Sequence, residues 1–294
     1  PDRDALKLRE TLATSDVNTY ITVASTLVND MSGNGVEAIV DGAGLQAHSF
    51  VEDVVKPSFS SYTLDMDTGT MVLSFAETVN ITSFVLSEFT IYSSSVGDGE
   101  FHQLSEGTLI RDAVDPSVII LALAKSDMDS IKALRLLATQ STTTFLNLTS
   151  NSLTDMNGNA LESTSALMKL PSAYTRDDTN PGLVNYEANM NYATNKIQLT
   201  FTFTETIAAE TFAATAITLQ SSATGGAREY TLTGGNVSTV DSTHVTVILS
   251  DFDANNVKAD LSLYTSTVLR TQTSPTAFWD SNVSFDAYLS LTPA

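Results

Sequence analysis

In Ile197-Gln-Leu-Thr-Phe-Thr-Phe-Thr-Glu-Thr-Ile207 the apolar residues Ile197, Leu199, Phe201 and Phe203 alternate with Gln198, Thr200, Thr202 and Thr204. A period of two puts one face of a β-strand on a core and the other in water. The phrase has an earlier relative, Met71-Val-Leu-Ser-Phe-Ala-Glu-Thr-Val79, and Val245, Val247 and Leu249 alternate in the same way. Gly97-Asp-Gly99, Gly107, Gly225-Gly226 and Gly234-Gly235 punctuate these runs where hairpin turns call for positive φ.

Working outward, the recurrence covers nearly the whole chain. Asp2, Asp4, Lys7, Leu12, Ala13, Thr14, Asp30, Met31, Gly33 and Asn34 return 125 residues later as Asp127, Asp129, Lys132, Leu137, Ala138, Thr139, Asp155, Met156, Gly158 and Asn159. Pro57, Tyr62 and Met66 return 124 residues later as Pro181, Tyr186 and Met190. A third copy keeps Asp251, Asp253, Lys258, Leu263 and Thr265, and Asp280-Ser-Asn-Val-Ser284 reads as its altered closing motif. One segment departs from period two: over 126–139, Ile131, Leu134, Leu137 and Ala138 sit at helical spacing, and Ser126 with Asp129 reads as a capping box. The chain therefore divides into residues 1–56, the C-terminal part of a repeat; 57–180, a complete repeat; and 181–294, a complete but diverged one. The expected fold class is all-β, each repeat a β-sandwich with one short crossover helix.

Composition bounds the function. Among 294 residues, 34 are acidic and 14 basic, for a formal net charge of −20, and there is no cysteine. Disulfides, thiolate metal sites and cysteine nucleophiles are excluded together, and so strong a negative charge repels the phosphates of nucleic acid. The longest apolar run, Val118 to Ala124, is far short of the roughly 18 residues a helical membrane span requires. Serine and threonine make up about a quarter of the chain, so hydroxyl groups solvate much of the surface, as in secreted β proteins.

Phe75-Ala-Glu-Thr-Val79, Phe203-Thr-Glu-Thr-Ile207 and the later Thr154-Asp-Met-Asn-Gly-Asn-Ala-Leu161 resemble the bacterial-type Ig-like repeat of S-layer proteins and large surface adhesins. In that family a strand ends in Phe-x-Glu-x-Val and a closing turn reads Asp-x-x-Gly-Asn. The helix block Asp-x-Asp-x-Ile-Lys also resembles repeats in very large secreted proteins of marine microbes and protists. The resemblance implies tandem Ig-like sandwiches of about 125 residues and an extracellular or cell-surface address.

Several groups are candidates for chemistry. Asp30 and Asn34, and again Asp155, Asn157 and Asn159, place oxygen atoms around a glycine as calcium loops do, and tight-turn chemistry demands the same residue types. The linker acids Asp53, Asp177 and Asp178 precede the opening proline of the next repeat, and Glu77 and Glu205 end an early strand. If strand end and linker meet, these oxygens share a Ca²⁺ that stiffens the junction; otherwise they are solvated linker charge. The acidic pairs Asp2/Asp4, Asp127/Asp129 and Asp251/Asp253 are expected to serve helix N-termini. Asn80, Asn147, Asn236 and Asn282 head N-glycosylation triplets, about the number that 17 asparagines give by chance at this Ser/Thr content.

Catalysis is not expected. His48, His102 and His244 do not recur with the repeat, no nucleophile elbow, metalloprotease helix or phosphate loop is present, and the prominent acids repeat as structural features do. The single tryptophan, Trp279, is read as a core or interface aromatic, with a sugar platform as the rival reading. The expected role is a non-enzymatic segment of a long extracellular repeat protein, a stalk, adhesin shaft or filament subunit. The alternatives are a carbohydrate-binding or enzyme-accessory module and an S-layer lattice protein. Ile21, Val23 and Val28 match Leu146, Leu148 and Leu153 and are expected to be core. A lone hairpin cannot cover them, so the expected partners are further copies of the repeat, in cis or in a filament.

Overall fold

The structure is a computed structural model that describes residues 2–9, 11–223, 228–260 and the strand Tyr288–Leu291. It has two compact units, Pro1–Asp178 and Thr179–Ala294.

The first unit opens with α1 (Asp2–Lys7), β1 (Tyr20–Ile21) and β2 (Leu45–Gln46). It continues with β3 (Phe59–Asp65), β4 (Thr70–Phe75), β5 (Phe89–Tyr92), β6 (Phe101–Gln103), β7 (Gly107–Arg111), β8 (Val118–Leu123), α2 (Lys125–Ala133), β9 (Phe145–Leu148) and β10 (Ala173–Thr175). Two sheets, ordered β10-β3-β4-β8-β7 and β6-β5-β9, face each other. Every pairing is antiparallel except β10 beside β3. The alternation in Met71-Val-Leu-Ser-Phe75 buries Met71, Leu73 and Phe75, and these join Phe59, Tyr62, Phe89, Ile91, Leu146 and Leu148 in one core cluster. This is a two-layer β-sandwich. The Tyr62 hydroxyl donates to the Thr144 carbonyl at 2.9 Å inside it, and burial pushes that phenol far above its ordinary pKa.

Helix α2 corrects the expected capping box. It begins at Lys125, Ala124 is the N-cap, and no side chain caps it. Ser126 lies inside the first turn because Asp127, not Asp129, is drawn toward the core. Asp127 accepts Ser105 N–H at 2.9 Å, Glu106 N–H at 3.2 Å, Ser105 Oγ at 2.9 Å and His102 Nε2 at 2.9 Å. Burial alone would raise this carboxyl; the hydrogen bonds from His102, Ser105 and Glu106 outweigh it and hold the pKa below the ordinary value. Asp129 instead makes an exposed pair with Lys125. The helix stops at Ala133, and the following turn puts Ala138 at φ +50°.

Residues 11–36 share backbone hydrogen bonds with 136–161 at the 125-residue spacing, and the spacing falls to 124 by the last strand, where Ile21 faces Leu45 as Leu146 faces Lys169. Ala13 N–H donates to Asn18 O as Ala138 N–H does to Thr143 O, and Ala13 sits at φ +56°. Val36 N–H donates to Val28 O as Leu161 N–H does to Leu153 O, and Asp30 N–H to Asn34 O as Asp155 N–H to Asn159 O. Burial differs. Ile21 is 55% exposed where Leu146 is 0%, and Val28 58% where Leu153 is 1%. The expectation that Ile21, Val23 and Val28 are core does not hold among the described residues: Val23 is half-buried and the other two are exposed, because no described strand stands where β5 covers β9.

The second unit contains β11 (Leu183–Ala193), β12 (Lys196–Ile207), β13 (Ile217–Gln220), β14 (Glu229–Thr231), β15 (Asn236–Val237), β16 (Ser242–Ile248), α3 (Asp251–Ala259) and β17 (Tyr288–Leu291). Its sheets are β11-β12-β16-β15 and β14-β13-β17. Ile197, Leu199 and Phe201 of β12 and Val247 of β16 form a core with Ile217 and Leu219 of β13. Here Asp253 does what Asp127 does in the first unit: it accepts Tyr230 Oη at 2.8 Å, Thr233 Oγ1 at 2.9 Å and Thr233 N–H at 3.1 Å. Ser250 caps α3, its side chain accepting Asp253 N–H at 3.0 Å. Asp251 makes an exposed pair with Lys196. Strand β17 pairs with β13 (Ile217↔Leu291) as β9 pairs with β5 (Phe89↔Leu148). Asp280–Ser284, with Trp279, Asn282 and Val283, lies outside the described residues.

Candidate functional site

The linker after residue 46 passes beside the end of β4. In Phe75-Ala-Glu-Thr-Val79 the alternation that buries Phe75 carries Glu77 inward as well, leaving it 7% exposed, and Val79 bridges to Asp155 in the closing turn. Carboxylate oxygens of Asp53, Glu77 and Asp155 thus lie within 4.8 Å of one another. Of the ten candidate metal ligands read from the sequence, these are the three acids that the fold gathers. Asp155 is buried and its carboxylate already serves the turn: Oδ1 accepts Asn157 N–H at 2.9 Å and Asn159 N–H at 2.8 Å, and Oδ2 accepts the Asn159 amide at 2.9 Å. The Asn157 and Asn159 amides, at 3.3 and 2.9 Å, both donate to the Asp53 carbonyl, so the turn grips the linker backbone.

The group that completes this cluster was overlooked as a site residue. Lys7, in the last turn of α1, donates to Asp53 Oδ2 at 2.6 Å and to Glu77. Burial disfavours its charge, but the bonds to Asp53 and Glu77 prevail and raise its pKa above the ordinary lysine value. The signal for Lys7 lay in its recurrence as Lys132 and Lys258. Thr78, fully buried, adds bonds from Oγ1 to the Asp4 carbonyl at 3.3 Å and carboxylate at 3.4 Å. Leu6, Leu12, Phe50 and Met156 line a cleft beside Lys7.

The remaining candidates separate. Lys132 meets Asp177 at 2.9 Å, the same lysine-to-linker contact one repeat spacing later. Asp178 pairs with Arg176 at 3.2 Å on the surface. Glu205 stands in β12 of the second unit. Asp30 and Asn34 repeat the Asp155 turn in an exposed setting, with Ser32 and Asn34 N–H on Asp30 Oδ1 and the Asn34 amide on Oδ2; these bonds, led by the Asn34 side chain, hold Asp30 below the ordinary carboxylate pKa. Gly33 and Gly158 sit at φ +86° and +90°. Among the sequons, Asn147 is 9% exposed on β9 beside Thr164, so it is closed to glycosylation in the folded chain. Asn80 turns its carbonyl onto Thr82 N–H at 3.0 Å, and Asn236 is exposed. His48 and His244 are exposed, and neither belongs to the acidic cluster.

No family model and no curated protein matches the chain. Among solved structures, the N-terminal part of the bacterial S-layer protein SbsC is similar with 14% identity and a TM-score of 0.27, over 67% of this chain and 44% of that one. The S-layer protein rSbsC gives 9% identity and a TM-score of 0.26, over 66% and 32%. Bovine butyrophilin gives 9% and 0.18, over 81% and 99%. This chain spans less than half the length of either S-layer chain. None of these TM-scores reaches the level of a shared fold.

Proposed function

We propose that this chain is a non-enzymatic structural segment of a long extracellular repeat protein, built from tandem Ig-like sandwiches of about 125 residues. The observation that carries the reading is the recurring joint. The helix lysine of one repeat binds the acid of the linker that follows it, Lys7 to Asp53 and Lys132 to Asp177. A contact that recurs with the module stiffens an array, whereas a catalytic site is singular. The joint's cation is Lys7 itself. Ca²⁺ would enter among Asp53, Glu77 and Asp155 only by displacing that ammonium group, so the native joint is expected to hold in EDTA.

The mechanism is mechanical. A flexible linker swings freely, whereas one pinned by an ion pair, by two asparagine amides and by the buried Glu77 is held against the repeat it borders. Limited proteolysis of the full chain tests this. Lys7→Met should speed cleavage within 47–56, and Lys132→Met within 176–180, by about tenfold each, with cleavage elsewhere unchanged. Linkers cut at wild-type rates in both variants would remove the joint from this account.

A further inference from the structure

Residues 11–46 have the backbone of a finished closing half and the surface of an unfinished one. Strand β1 pairs on one edge with β2, Ile21 opposite Leu45, as Leu146 bridges to Lys169 in the complete copy. On its other edge β9 is paired by β5, with Phe89 opposite Leu148 and Ile91 opposite Leu146. Among the described residues β1 has no such second neighbour, its sheet being β1-β2 alone. The open edge and the uncovered apolar face belong to the same strand. Tyr20, Ile21, Leu27, Val28 and Leu45 are all at least half exposed, an apolar patch of a kind that marks an interaction surface. Exposed hydrophobic edges also template the addition of a strand.

We infer that this face binds an opening half-repeat, of the kind that 57–124 forms in this chain. Its β5-like strand runs antiparallel to Tyr20–Val23, the residue equivalent to Ile91 opposite Ile21 and that equivalent to Phe89 opposite Val23. The inference rests on the tandem-repeat reading above, and it names the partner and the register. The backbone hydrogen bonds that 11–36 share with 136–161 are what specify the occupant: a docking surface that copies β9 and its turn accepts what β9 accepts.

The test adds a second copy of residues 57–125 directly ahead of Pro1, which restores the order of the complete repeat because Pro1 matches Ser126 in the 125-residue spacing. Amide hydrogen exchange at Tyr20–Val23 should slow by about 100-fold. The same addition carrying Ile91→Asp in the added copy should leave these amides fast, with protection across 57–178 unchanged. Should the extended chain fail to fold, a synthetic peptide of residues 86–94 added to the natural chain should slow the same amides, and its Ile91→Asp form should not. Unchanged exchange in the folded extended chain, or with the peptide, overturns the inference. So does a concentration-dependent dimer of the natural chain that already protects Tyr20–Val23, which would assign the face to a second copy. Linker cleavage in the lysine variants is independent of this readout, so the joint and the docking face fail separately.

Discussion

At Lys7 one ammonium group answers two carboxylates, and its removal leaves Asp53, Glu77 and Asp155 facing one another without that charge. Lys7→Met should cost about 3 kcal/mol, since stranding a buried charge is worse than losing a surface pair. It should also make the melting temperature of the first unit rise with added Ca²⁺, because three clustered carboxylates then lack a cation. The wild type should melt alike in EDTA and in Ca²⁺; a wild-type melting point that drops in EDTA would restore calcium to the joint. The raised lysine pKa fixes the sign of the pH response. Its contribution is complete below the unfolded value of about 10.4 and is lost as pH climbs through the higher folded value, so the wild type should lose stability above about pH 10.4 and Lys7→Met should lose less. At Gly158 an added Cβ meets nothing within 4 Å, so the φ of +90° alone sets the cost. Gly158→Val should lose about 1–3 kcal/mol, and Gly158→Asn distinctly less. Equal losses in chemical denaturation would show that something other than left-handed backbone is at stake.

At the scale of elements, α2 and α3 are each held by apolar residues in the core, Met128 and Ile131 or Ala254 and Val257, and by one buried carboxylate. Asp127 on α2 holds the Ser105–Glu106 loop between β6 and β7, and Asp253 on α3 holds Thr233 after β14. Both are buried, and removing one strands backbone N–H donors. Asp127→Asn and Asp253→Asn should each cost about 2–3 kcal/mol and speed amide exchange in the clasped loop before the rest of the unit. Both carboxyls titrate below the ordinary aspartate value, since the hydrogen bonds outweigh burial. Their contribution is therefore complete above about pH 3.9 and lost as pH falls through the lower folded value. Acid unfolding of either variant should be shallower than that of the wild type in this window. The acidic starts placed the beginnings of α2 and α3, but the helical spacing read over 126–139 does not hold beyond Ala133: Leu134, Leu137 and Ala138 lie past the end of α2. Those starts did not say which acid of each pair turns inward, because that depends on a loop some 20 residues earlier in the chain.

For the whole molecule the net charge of −20 is the largest single electrostatic fact. Compact folding brings these charges together, and salt screens repulsion between exposed groups over about 10 Å at 0.1 M. Raising NaCl from 10 to 300 mM should therefore raise the melting temperature by a few degrees, while Lys7–Glu77, largely shielded from solvent, is weakened less than the exposed Lys125–Asp129 pair. A fall in melting temperature over that range would mean that attractive pairs dominate the balance.

The sequence by itself determined what depends on near neighbours. Alternation located the strands that carry Met71-Leu73-Phe75 and Ile197-Leu199-Phe201, and Asp-x-x-Gly-Asn announced a turn because carboxylate, left-handed glycine and asparagine amide act within five residues. The 125-residue recurrence pointed to equivalent backbone, and residues 11–36 and 136–161 share turn and bridge hydrogen bonds. Only the tertiary structure decided which distant groups meet: Lys7 with Asp53 and Glu77, Asp155 beside them, Asp127 with the β6–β7 loop. It also decided that Ile21 is exposed where its counterpart Leu146 is sealed, and that β17 rather than an earlier stretch lies beside β13. The reason is physical: side-chain period and turn chemistry are set by covalent neighbours, whereas burial and charge pairing are set by whichever surface the folded chain brings alongside.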